Sequence, residues 1–187
     1  MNPTPKSTDQ PSRTSMVLDI ETLSTRANAV ITEIGAIVFD RFDFKEIDQI
    51  ELNPSIFPQI KDARHISPDT IDFHTHNKSL PGTTGDISPE EALTSLARFI
   101  EQHDPHNVWI QGPDFDRPIL DSFLEAYLPS MGSLWPFWRT RDARTIWDAA
   151  FPGVKHDSRP HFALGDCRAT LADLAAALKA LNRPEAA

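Results

Sequence analysis

The chain has 187 residues, one cysteine, 40% hydrophobic and 24% charged residues, and a net charge of −9. That size suits one domain with a real core. The absence of an 18-residue apolar run argues against a transmembrane helix, and the polar N-terminus against a signal peptide. Cys167 alone allows no intrachain disulfide and no cysteine zinc cage, so a cytoplasmic location is expected.

The acidic balance argues against tight, non-specific duplex binding, which needs a basic surface. It does not argue against cutting a strand end where bound metal ions supply the positive charge. Residues 1–14, rich in Pro, Ser, Thr and charge, predict a disordered tail, and 15–183 a single domain. A first strand is expected near Ser15 to Ile20. Within Val17-Leu18-Asp19-Ile20-Glu21-Thr22 two carboxylates stand two positions apart. In a strand such side chains leave the same face, roughly 7 Å apart. Like charges there need a counter-charge, and a divalent cation is the simplest one. The alternative is an edge strand with a solvated face.

After a polar connection over Thr22 to Asn28, Ala29 to Phe42 and Phe44 to Leu52 predict two more strands in an antiparallel meander. Asn53-Pro54 ends the third. Ile56 to Gly85 is irregular, with one short helix from Pro68 to about His76 behind Ser67 as N-cap. Ser88-Pro89-Glu90-Glu91 is a capping-box start for a helix to about Gln102. A short strand over Asn107 to Gln111 and a helix over Asp116 to Tyr127 follow. The next expected elements are a strand near Trp138 to Arg141, a helix from Asp142 to about Ala150, and a last helix over Leu164 to Leu181. The order predicts an α/β layered domain with a mixed sheet, the meander first and parallel crossovers after it.

Asp116 falls between a strand end and a helix start, where α/β folds collect ligand groups; helix capping is the alternative use. His161 and Asp166 lie five apart at the entry to the last helix. An Asp there also suits the helix dipole, and a loop His is commonly a surface residue. Asp19, Glu21, Asp116 and Asp166 with a His ahead of the last member say more as a set than singly.

That set, Asp-x-Glu on the first strand, Phe115-Asp116 after the fourth, and His161-x4-Asp166 before the last helix, resembles the DEDDh exonuclease superfamily. Leu18-Asp19-Ile20-Glu21-Thr22, Gly112-Pro113-Asp114-Phe115-Asp116-Arg117-Pro118-Ile119-Leu120 and Phe137-Trp138-Arg139-Thr140-Arg141-Asp142-Ala143-Arg144-Thr145 are similar to the phage exonuclease A and RNase T-like types. The resemblance covers about Met16 to Leu181 and is loose in the middle. It implies an RNase H-like fold and a 3′-5′ exonuclease that acts on a single-stranded RNA or DNA 3′ end and releases 5′-mononucleotides. It implies that Asp19, Glu21, Asp116 and Asp166 hold two Mg²⁺ or Mn²⁺ ions, that His161 is the general base, and that a homodimer forms. Such ions favour carboxylate oxygens, and imidazole titrates near neutrality.

Many members carry His-Asn where this chain has Gln111-Gly112, which puts the contacts to the terminal nucleotide in question. Thr22, Gly112, Phe115 and Arg144 are the candidates for substrate contact. Trp135, Phe137 and Trp138 either stack bases or pack a core or dimer contact, and Arg139, Arg141 and Arg144 either meet phosphate or pair with acids. Three competitors stay open: a binding module of the same fold without turnover, a ribonuclease H-type endonuclease, and a metal-free binding protein.

Overall fold

The computed structural model describes residues 12–79, 85, 87–156 and 159–182. Five strands form one sheet in the order β3-β2-β1-β4-β5. They are β1 (Thr14–Thr22), β2 (Ile31–Asp40), β3 (Glu46–Leu52), β4 (Val108–Ile110) and β5 (Thr140–Asp142). The first three pair antiparallel; β4 and β5 run parallel to β1. The helices are α1 (Ile56–Lys61), α2 (Pro68–Asn77), α3 (Pro89–His103), α4 (Pro113–Tyr127), α5 (Ala143–Ala150) and α6 (Ala163–Leu181).

Alternation along β1 divides the core. Met16, Leu18 and Ile20 join the apolar faces of α3 and α4, including Leu93, Leu96, Leu120 and Phe123. Val17 faces the other way and packs with Leu164, Leu171 and Leu174 of α6. By the same period of two, Asp19 and Glu21 emerge on the α6 side. The carboxylates of the central strand therefore meet the helix that carries Asp166.

Gly35 makes that meeting close. It lies opposite Asp19 in the β1–β2 register. A Cβ there would fall 2.6 Å from the Ala163 backbone carbon and 2.7 Å from the Leu164 nitrogen. The start of α6 thus rests directly on β2 backbone, and Glu33 of β2 accepts the Ala163 N–H at 3.1 Å, an acid placed on the open helix end.

The expected mixed sheet is present, with differences at element ends. β1 begins at Thr14, inside the stretch expected to be tail; residues 1–11 lie outside those described. α4 begins at Pro113 rather than Asp116, behind Gly112 in the left-handed conformation and with a proline at its first helical position. Phe137–Arg139 forms a 3₁₀ turn, which moves β5 to Thr140–Asp142. The short α1 has no counterpart among the expected elements. It places Gln59, fully buried, so that its side chain bonds both the N–H and the C=O of Ile31. Ser88 caps α3 as expected, accepting from the Glu91 N–H at 3.1 Å.

Candidate active site

Beyond Val17 the β4 side of β1 has no strand partner among the described residues, since β4 pairs with Met16 and Val17. The free Ile20 N–H is taken by Asp116 Oδ1 at 3.2 Å. This bond ties the first turn of α4 to β1 and holds Asp116 at 3% exposure. Asp166 stands in the first turn of α6, its own N–H bonded to the Phe162 carbonyl at 2.8 Å.

His161 lies two residues before the helix with φ +58°. That left-handed backbone is uncommon for a side-chain-bearing residue. The imidazole meets the Phe73 ring edge-on at 4.9 Å.

All five residues line one cleft of about 470 Å³, together with Thr22, Phe73, His74, Gln111 and Phe115. Glu21, His161 and Asp166 each offer a ligand atom, and the three lie within 4.8 Å of one another. Asp166 Oδ1 is buried and has no hydrogen-bond partner among the described residues. An orphaned buried carboxylate oxygen is costly unless a cation or donor fills the gap.

Burial and mutual repulsion raise the acids' pKa values. Glu21 is pushed up to about 8, by burial first and then by Asp166, Glu33 and Asp116. Burial pushes Asp116 up to about 7, opposed by the Ile20 N–H and by the charge of Arg144. Asp19 is raised well above its ordinary value by burial and by the charges of Asp116, Glu21 and Asp166. Asp166 is raised by burial, with His161 and Arg159 opposing. Carboxylates crowded this way give up their protons less readily, and a bound cation would displace those protons. The donor set, acidic oxygens with one imidazole, fits a hard divalent cation.

The candidate substrate contacts divide. Phe115 lines the cleft, partly exposed. Thr22 lines it too, with its hydroxyl engaged inside the protein. The hydroxyl donates to the Ser24 carbonyl at 2.7 Å, and the Thr22 carbonyl is 2.9 Å from His74 Nε2. Satisfying a tight turn after β1 took precedence over presenting the hydroxyl.

Gly112 and Arg144 lie in an adjoining recess that shares Gln111 and Phe115 with the cleft. Gly112 has φ +94°, and a Cβ there would lie 3.6 Å from the Arg144 guanidinium. The aromatic trio is split: Trp135 is buried, while Phe137 and Trp138 are 76% and 63% exposed. Trp135 donates from its indole to Thr140 Oγ1 at 3.0 Å. Arg139 pairs with Asp104 at 2.6 Å, while Arg141 bonds the Trp138 and Thr140 carbonyls.

Sequence reasoning missed Glu33, Phe73, His74 and Arg159. Phe73 and His74 sit on the expected short helix, but only the folded chain turns them toward the cleft. The alternation of β2 was enough to put Glu33 on one face with its β1 partner Glu21.

A mixed sheet flanked by helices, with an acidic cleft, frames the site, and the family that the chain matches is one of exonucleases. The chain belongs to the 3′-5′ exoribonuclease Rv2179c-like domain family, whose model matches residues 14–182. No curated protein matches it. Among solved structures it is similar to the zinc-bound complex of E. coli exonuclease I with single-stranded DNA, at TM-score 0.66 and 16% identity. That match covers 93% of this chain and 42% of the other. A further exonuclease I structure gives TM-score 0.63 at 14% identity, covering 87% of this chain and 40% of that one. The nuclease domain of 3′hExo, a DEDDh family member bound to rAMP, gives TM-score 0.60 at 12% identity, covering 91% and 94%. At these identities the likeness is one of fold. The chain spans about two-fifths of the exonuclease I chains it matches.

Proposed function

We propose that the protein removes nucleotides one at a time from the 3′ end of single-stranded RNA and releases nucleoside 5′-monophosphates. The observation that carries this reading is the unpartnered Asp166 Oδ1 beside Glu21 and His161 in a cleft that Asp19 and Asp116 also line. RNA is favoured over DNA by the exoribonuclease family.

Asp19, Glu21, Asp116 and Asp166 would hold two Mg²⁺ or Mn²⁺ ions. Such a pair, when bound, neutralises charge on the attacking and leaving oxygens of an in-line displacement. The chain's own residues do the rest. The Ile20–Asp116 bond fixes one wall of the cleft to the central strand. Phe115 offers apolar surface to a base or sugar. His161, on its loop, takes a proton from the attacking water. As the new P–O bond forms, the P–O3′ bond of the preceding nucleotide breaks and the departing O3′ takes a proton from solvent, leaving a shortened strand with a free 3′ hydroxyl. The exposed pair Phe137 and Trp138 supports self-association as a homodimer, measurable by light scattering.

The test is incubation of 5′-labelled single- and double-stranded RNA and DNA with Mg²⁺ or Mn²⁺, read as ladders. Single-residue shortening of RNA that stops in EDTA is the expected result. Internal cuts at the outset would point to an endonuclease. Metal binding without cleavage of any substrate would point to a binding module.

A further inference from the structure

Gln111 follows the last residue of β4 and stands at the junction of the cleft and the Arg144 recess, lining both. Its carboxamide is held one way round. Oε1 accepts from Arg159 Nη2 and from Thr170 Oγ1, the latter at 3.0 Å. Arginine has donors only, so it can face only the oxygen of the amide.

Arg159 is itself fixed to α6. It donates to Asp173 Oδ2 at 2.6 Å, the same oxygen that His156 Nδ1 meets at 2.9 Å. Among the described residues no protein group accepts from Gln111 Nε2. Two N–H donors therefore remain at the wall of a cleft that five carboxylates, Asp19, Glu21, Asp69, Asp116 and Asp166, also line.

Ionised carboxylates only accept hydrogen bonds. They can accept from a sugar hydroxyl but give no direct hold on the phosphate oxygens of a nucleotide, which need donors. We infer that Gln111 contacts the substrate, donating from Nε2 to a sugar–phosphate oxygen of the terminal nucleotide. Arg159 is the positioning residue that keeps the amide turned that way. This rests on the nuclease reading above.

The probe is adenosine 5′-monophosphate, titrated calorimetrically with Mn²⁺ present, beside titration of Mn²⁺ alone and the KM and kcat for RNA. Gln111→Glu keeps an acceptor for Arg159 and Thr170 but removes both donors; Gln111→Met removes the donors without adding charge. Each is expected to weaken nucleotide binding and raise KM by roughly 3- to 10-fold, the worth of one hydrogen bond. Mn²⁺ binding should persist in Gln111→Met, and Gln111→Glu should keep the wild-type melting temperature. Arg159→Met should show the same loss alone and no further loss in the Gln111→Met background.

Nucleotide affinity at the wild-type level in Gln111→Met, or losses that add in the double variant, would overturn the inference while leaving the nuclease reading intact. A wild-type protein that binds Mn²⁺ but neither the nucleotide nor RNA would overturn both.

Discussion

Asp116 and His161 face the same cleft and are held in opposite ways. Asp116 is buried, sits in the first turn of a 15-residue helix, and accepts a backbone N–H from the central strand. His161 is half-buried on a loop, in a left-handed conformation, steadied by the edge of one phenylalanine ring. Groups that cage ions need fixed positions, because ligand distances tolerate little error. A group that takes a proton and gives it up gains from a loop that can shift.

The comparison is broken most directly at its rigid side. Asp116→Ala should abolish detectable RNA shortening while the circular dichroism spectrum stays native, since the removed carboxylate lines the cleft floor and leaves the apolar core filled. If it cleaves at near wild-type rate, the acidic cluster is not the reaction site. His161→Ala should cost roughly 10²- to 10⁴-fold in kcat, the usual worth of a positioned base. Mn²⁺ binding should be largely retained. A variant that loses Mn²⁺ binding altogether would make His161 a ligand rather than a base.

The two sides also differed in how legible they were. Asp19 and Glu21 could be placed on one face from the period of a strand, and the five site residues from a sparse pattern spread over 148 positions, Asp19 to Asp166 inclusive. The mixed sheet, meander first and parallel crossovers after it, followed from the alternation of strand and helix signals. Arg159 could not be found that way. It lies in a Pro- and Gly-containing loop, where an arginine reads as solvated. Its bonds to Asp173 and Gln111 reach across 14 and 48 positions and exist only once α6 has docked. The α1 helix was hidden by Pro58 and by a buried Gln59, a polar residue that no apolar periodicity predicts inside. The Thr22 hydroxyl was open to either use until the turn after β1 claimed it.

The contact that sets the distance between the two sides can be altered without touching a site residue. Gly35→Ala drives a methyl into the backbone at the start of α6. Overpacking of this kind costs about 1–3 kcal/mol, and the shift moves Asp166 away from Glu21. A lower melting temperature together with weaker Mn²⁺ binding is expected. A loss of stability with unchanged Mn²⁺ affinity would show that the approach of α6 does not set the ion site.

The acids themselves give a pH signature. Glu21 and Asp116, at about 8 and about 7, sit above the ordinary carboxylate range of their unfolded forms. Between those limits the folded state binds more protons than the unfolded one. Their contribution to stability is therefore fully present below about pH 4 and is lost as pH rises through 7 and 8. In EDTA the melting temperature should fall over that upper range. Saturating Mn²⁺ should remove or reverse the fall, because the cation takes the place of the protons. A melting temperature that rises from pH 6 to 8 in EDTA would contradict the crowding of these carboxylates.

The smallest effect is expected where the loose side is steadied. Phe73→Leu keeps an apolar side chain on α2 but removes the ring edge that His161 meets at 4.9 Å. An aromatic pair contributes about 0.5–1.5 kcal/mol beyond buried area. If that energy holds the imidazole over the cleft, its loss lowers the fraction of molecules with His161 in place by roughly 2- to 10-fold. The drop should appear in kcat, with Mn²⁺ affinity unchanged. Combined with His161→Ala it should add nothing, since the group being steadied is gone. A full additive loss in the double variant would move Phe73 from His161's support to the binding of substrate.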